Sequence, residues 1–347
     1  MQRLKSAYAA NMNLSLQIGK HRLDSRVLVA PMSGVTDLPF RRILQRFKPG
    51  MVVSEMVVSE GFARGTGEAA ERSAGAGEID PLVIQLVGRD PYWMREGARH
   101  AEAAGAHIVD INMGCPARKV VGGQSGSALM REPELAMEII EGVLEGTIKP
   151  VTLKMRLGWD HDSLNAAEIG RRAVDLGVCM LTVHGRTRCQ FYEGDADWTA
   201  VGETVKAVDV PVFVNGDINT GKDALLALEQ SGAAGVMVGR GLVGQPWKLR
   251  EIIAAVEGLS KPEPLSPQDM ATAARDHYQF TLDFYPPRKG LRVARKHVAG
   301  YIDHAPDLSN NQKNAIRGDL CRTEDTGRVL QGLEDIFLRP HKLDVAA

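Results

Sequence analysis

Val151-Thr152-Leu153-Lys154-Met155 is a run of strand length in which one lysine stands among residues suited to an interior. An ammonium placed there costs desolvation energy unless a counter-charge or a ligand acceptor meets it, so both the fold and the function turn on where this run lies. Working outward, runs of the same apolar, β-branched kind recur at 27–32, 51–56, 82–87, 108–112, 180–184, 212–215 and 235–239. Segments of helical periodicity lie between them, for example 92–104, 133–144, 165–176 and 222–230, several of them closed by glycine. Strands apolar on both faces that alternate with amphipathic helices predict a parallel sheet, and eight such units predict a (β/α)8 TIM barrel. An open doubly wound sheet is the other arrangement the alternation allows.

In a barrel, functional groups belong where strands end and βα loops begin. The polar residues fall there: Ala30-Pro31-Met32, Gln85, Asn112-Met113-Gly114-Cys115-Pro116, Lys154, His184-Gly185-Arg186, Asn215-Gly216-Asp217 and Gly239-Arg240-Gly241. The last two stretches follow strands seven and eight, where backbone N–H groups of barrels commonly hold a monophosphate. Lys154 has three readings: a Schiff-base lysine of an aldolase-like enzyme, a structural lysine reaching the rim, or a fixed cation beside a flavin ring with Gln85 and Asn215 as amide partners. The flavin reading accounts for most of the neighbouring groups. Cys115, between a glycine and a proline just past a strand, sits in a constrained and accessible loop. A thiol with an ordinary pKa near 8.5 stays largely protonated at neutral pH, which suits a general acid better than a nucleophile.

The chain has 347 residues, which predicts one large domain and a smaller one. Hydrophobic residues make up 44% and charged residues 24%, a globular composition. No apolar run approaches the roughly 20 residues of a membrane span and no signal sequence is evident, so a cytoplasmic location is expected. Cys115, Cys179, Cys189 and Cys321 form no C-x-x-C pair and no His/Cys ligand spacing, so no disulfide framework and no metal are predicted. Residues 1–17 read as a disordered leader, with Met12 as a second candidate start, and 18–259 as the barrel. The proline-rich 260–267 reads as a boundary, and 267–338 as a helical domain with patterns at 268–284, 287–303, 310–321 and 324–338. Net charge is −1, so attraction to a polyanion requires a local patch. Residues 288–297 supply five basic side chains and no acid, with Arg288, Arg292, Arg295 and Lys296 on one helical face.

Taken in order, these motifs resemble the tRNA-dihydrouridine synthase family from about residue 18 to 337. The matching stretches are Ala30 to Asp37, Asp110 to Pro116, Leu153 to Arg156, Val183 to Thr187, Val214 to Ile218 and Gly239 to Gly241. Arg118-Lys119 stands where the family has a basic pair, and the tail with Arg295-Lys296-His297 is most similar to the bacterial B-type branch. The resemblance implies FMN on the barrel rim, NADPH as reductant and a helical domain that grips tRNA. It implies that Pro31, Met32, Gln85, Lys154, His184, Asn215, Asp217, Gly239 and Arg240 hold the flavin, with Ala30 and Gly216 beside them. It also implies that Asn112 and Arg186 hold the uracil, that reduced flavin gives hydride to C6, and that Cys115 protonates C5. The rival readings are an FMN enzyme of free pyrimidines, of the dihydroorotate type, and a catalytically idle tRNA-binding protein.

Overall fold

The computed structural model of the chain describes residues 16–340, so the expected leader lies almost wholly outside the described residues. A short antiparallel hairpin, β1 (Gln17–Ile18) and β2 (His21–Arg22), precedes the barrel. Eight strands follow: β3 (Val27–Val29), β4 (Met51–Val58), β5 (Leu82–Val87), β6 (Ile108–Met113), β7 (Val151–Arg156), β8 (Met180–His184), β9 (Val212–Asn215) and β10 (Gly235–Val238). They are parallel and close on themselves, with β10 pairing back onto β3 through Val236 and Val27. That last pairing decides for the (β/α)8 barrel over the open sheet. No helix among the described residues is long and apolar enough to cross a membrane.

Local chemistry explains the helices between the strands. Asp90 accepts the N–H groups of Tyr92 and Trp93 and Pro91 fills the first turn of Pro91–Ala103, while Thr220 and Asp223 form a reciprocal capping box on Gly221–Ser231. Gly232 ends the latter helix in the left-handed region at φ 67°. Three features depart from the sequence pattern. The two-residue strands of the β1–β2 hairpin are too short to show periodicity. β3 stops at Val29, because Pro31 has no N–H to continue a ladder. β4 runs on to Val58, with a register irregularity between Val53 and Met56 that turns Glu55 toward the first βα loop, where its carboxylate accepts the Gly34 N–H.

Beyond β10, the helix Lys248–Val256 completes the outer ring. Pro267–Phe284, Pro287–Asp303, Asn310–Leu320 and Thr326–Leu338 then bury a core of their own around Tyr278, Val298, Tyr301, Leu333 and Phe337. This layer touches the barrel at Trp247, whose ring lies 6.1 Å from Tyr301, and at Phe40, stacked 4.9 Å from His277. Arg46 reaches Asp276 at 2.7 Å.

The two parts approach closely at Gly244 against Gly300. Gly244 adopts φ +77°, and a Cβ there would collide with the Gly300 backbone. Gly244→Ala therefore combines a left-handed conformation with overpacking, and a loss of about 2–4 kcal/mol is expected. A lowered urea midpoint with an unchanged slope is the expected reading; an unchanged midpoint would show that the approach carries no weight.

Candidate active site

Side-chain alternation sorts the barrel interior into two layers. Leu28, Met51, Val53, Val83, Ile108, Met180, Phe213 and Met237 form the lower, apolar layer, sealed from below by Ile18 and Leu23 near the hairpin. Two residues further along the inward faces come Gln85, Asp110, Lys154, Thr182 and Asn215, all buried. Each strand thus changes character toward its carboxyl end. This is why an apolar run could carry a lysine.

Apart from the Thr182 hydroxyl, which is buried without a partner, the upper layer is hydrogen-bonded. Thr152 and Gln85 donate to the two oxygens of Asp110 at 2.5 and 2.7 Å, and the Asn112 amide donates to Gln85 at 2.7 Å. Lys154 Nζ donates to Asn215 Oδ1 at 2.9 Å, and Asn215 Nδ2 donates to the Met237 carbonyl at 2.7 Å. Burial dominates the charges. It pushes the Lys154 ammonium down to about 8, despite the help of Asp110, and lifts the Asp110 carboxyl to about 6.

Cys115 stands half-buried beyond β6 on a loop held at several points. Asn112 Oδ1 accepts the Gly114 and Cys115 N–H groups at 3.2 and 3.0 Å, and Ser127 donates to the Cys115 carbonyl through its hydroxyl (2.8 Å) and its N–H (3.2 Å). Arg156, 1% exposed, donates to the carbonyls of Gly114 (2.8 Å), Thr187 (2.7 Å) and Phe191 (2.8 Å), lacing the cysteine loop to the loop after β8. Only the side chain of Cys115 is left without a holding contact among these bonds. Gly126, at φ +61°, passes so close that a Cβ would lie 3.0 Å from the Cys115 carbonyl oxygen.

The other side of the rim is built on Asp217. Gly216 at φ 114° and Asp217 at φ 55° make the turn after β9, and Asp217 accepts from Arg186 Nη1 at 2.9 Å, from Arg186 Nη2, and from the Ala196 N–H at 2.8 Å. Arg240 approaches the same carboxylate at 3.5 Å and lies 4.5 Å over the Tyr192 ring. Gly239 faces Ala30 and Met32, so β10 and the first βα loop share one wall. Burial, then the cations Lys154, Arg156, Arg186 and Arg240, hold His184 well below the usual histidine range, so its imidazole is neutral.

The residues expected from the sequence are thus placed unequally. Ala30, Met32, Gln85, Asn112, Cys115, Lys154, His184, Asn215, Gly216, Asp217, Gly239 and Arg240 gather around the carboxyl end of the barrel. Arg186 is 2% exposed, with both terminal nitrogens on Asp217 and its Nη2 and Nε also on the Gly194 and Glu193 carbonyls at 2.5 and 3.2 Å. It organises the turn after β9. Arg288, Arg292 and Arg295 are exposed on the Pro287–Asp303 helix, whereas Lys296 turns inward, within reach of Gly34, Asp37 and Glu55. Asp110, Arg156, Glu55 and Tyr192 were not expected as site residues. The first two had a signal, since each lies two residues from an assigned neighbour (Asn112, Lys154) on the same strand face.

Compared with known proteins, residues 28–338 match the model of the dihydrouridine synthase family. A probable tRNA-dihydrouridine synthase of Rhodobacter capsulatus is 46% identical over 327 residues, 93% of this chain and 98% of that protein. A probable tRNA-dihydrouridine synthase of Rickettsia conorii is 44% identical over 326 residues, 93% and 96% of the two chains. The tRNA-dihydrouridine synthase B of Xanthomonas axonopodis pv. citri is 41% identical over 326 residues, again 93% and 96%.

Proposed function

The chain belongs to the dihydrouridine synthase family, and from that premise we propose that it saturates the C5–C6 bond of a uridine in transfer RNA, using FMN and a reduced nicotinamide. The observation that carries this reading is the pairing of a buried cation, Lys154 held by Asn215, with a half-exposed thiol whose backbone is fixed on the same rim. The donor set fits an isoalloxazine with a phosphate tail. Lys154 and Asn215 offer a cation and an amide to the ring, Ala30, Pro31 and Met32 an apolar wall, and Arg240 with the Gly216 and Gly239 turns a setting for the phosphate.

FMN held by these residues would supply the hydride chemistry for C6 of the base, with NADPH as the source of electrons. The protein's part is to hold a proton at Cys115 Sγ and deliver it to C5, so that hydride and proton together saturate the double bond. Asn112 positions that thiol by accepting the Cys115 N–H; Arg156 and Ser127 pin the carbonyls on either side. Asp110, which accepts from Gln85 while Gln85 accepts from Asn112, keeps the amides oriented from below. A base reaching the rim must leave its stack, which the loops on both sides of the mouth would shelter. Dihydrouridine mapping in tRNA from a strain lacking the protein tests the reading: one or more positions should revert to uridine, and an unchanged map would reject it.

The exposed arginines of the Pro287–Asp303 helix are the phosphate contacts in this reading. Arg292→Ala with Arg295→Ala should weaken tRNA binding and lower the salt slope of binding by about 2, with NADPH oxidation unchanged. Filter binding over a salt series checks this; an unaltered slope would place the tRNA elsewhere. Lys296 is left out of the pair because it faces Asp37 and Glu55. The cytoplasm as the site of action follows from a tRNA substrate and belongs to the same proposal.

A further inference from the structure

Where the Pro267–Phe284 and Pro287–Asp303 helices meet the Leu38–Gln45 helix, three ligating side chains converge that no local spacing announces. Asp37, His277 and His297 are 2%, 1% and 3% exposed, and their ligand atoms all lie within 4.8 Å of one another. The two imidazoles are 4.3 Å apart, and both pack on Phe40 at 4.9 and 5.2 Å. Of their four ring nitrogens only His277 Nδ1 has a partner, the Tyr301 hydroxyl at 3.0 Å; His277 Nε2 and both nitrogens of His297 are buried with none. Each such atom costs about 1–3 kcal/mol. One nitrogen from each imidazole and an Asp37 oxygen share one small space, and buried groups left unpartnered there call for a species between them.

The third side chain is already oriented. One Asp37 oxygen caps the Leu38–Gln45 helix through the Phe40 N–H at 3.1 Å, and the other accepts the Tyr285 hydroxyl at 3.2 Å with a lone pair to spare. The Tyr301 hydroxyl stands at His277 Nδ1 as the outer partner of a metal-bound histidine does, and when it accepts the Nδ1 proton it leaves a lone pair on Nε2 for the ion. In a tetrahedron with bonds of ~2.1 Å the ligand atoms are about 3.4 Å apart, so adjustments on the order of 1 Å close the set.

We propose that Asp37, His277 and His297 bind a divalent transition ion of the zinc class, with water completing the coordination, and that this ion ties the barrel to the helical layer. The charges around the set balance without it, Asp37 and Glu55 standing against Arg41 and Lys296. The site therefore selects by imidazole affinity, favouring zinc, iron, nickel or cobalt over the oxygen-seeking magnesium and calcium. Nothing in this depends on the flavin chemistry.

Elemental analysis of the holoenzyme purified without chelator, and titration of the metal-stripped protein with zinc and with cobalt(II), test the proposal. About one equivalent should bind, zinc should raise the melting temperature, and cobalt should add ligand-field absorption beyond the flavin bands. His297→Ala should lose both uptake and stabilisation. Asp37→Asn keeps the helix cap, because asparagine also accepts the Phe40 N–H, yet should weaken uptake about tenfold or more. Wild-type protein that neither carries nor takes up any of these ions would overturn the proposal and leave a bridging water in the space. Equal uptake by wild type and both variants would overturn it as well.

Discussion

Cys115→Ala is expected to retain bound FMN and NADPH oxidation while dihydrouridine formation falls by about 10²–10⁴-fold, the usual contribution of a positioned general acid. The substitution is nearly silent in structural terms. The loop is held by Asn112, Ser127 and Arg156 through backbone groups, none of which involves the sulfur. Alanine therefore removes the proton and little else. Single-turnover reduction of tRNA by the pre-reduced enzyme separates this from a binding defect: the chemical step should slow while tRNA affinity stays the same. Undiminished turnover would move the proton donor to another group.

Lys154→Met is expected to weaken FMN binding by about 10–100-fold, corresponding to roughly 1.5–3 kcal/mol for a hydrogen bond from a charged donor. Methionine fills the space without the charge, leaving Asn215 Oδ1 short of a donor and Asp110 without its nearby cation. The pH dependence has a definite sign. Lys154 titrates near 8 in the folded protein against 10.5 for a free lysine, so its burial costs stability below about 8. The FMN-free protein should gain stability as pH rises from about 8 toward 10.5, because there the unfolded chain binds the extra proton. FMN affinity should move the opposite way, falling as the cation is lost above about 8. Lys154→Met should abolish both trends. Stability and affinity profiles parallel to wild type would mean that this lysine does not contact the flavin.

Much of this was legible in the chain because a barrel writes itself in two periods. Runs such as 151–155 are apolar on both faces since both faces are covered, and the polar residue at the carboxyl end of each run marks the rim. Lys154, Asn215 and Cys115 could be picked out for that reason. What the sequence concealed depends on contacts between distant segments. Arg186 reads as a rim cation, yet Asp217, 31 residues away, takes up its charge. Lys296 reads as one of four cations on a face, but packing against the first βα loop turns it inward. Asp37, His277 and His297 have no spacing to read, because two helices and a barrel loop must fold together before they meet. The β1–β2 hairpin escaped for a simpler reason, being too short to carry a pattern.

The most direct test of the central claim is a single incubation. Purified protein should be yellow, and addition of NADPH followed by tRNA from a strain lacking the protein should bleach and then restore the flavin as dihydrouridine accumulates in that tRNA. Flavin that is reduced by NADPH but not reoxidised by the tRNA, with no dihydrouridine detected by mass spectrometry, would contradict the account.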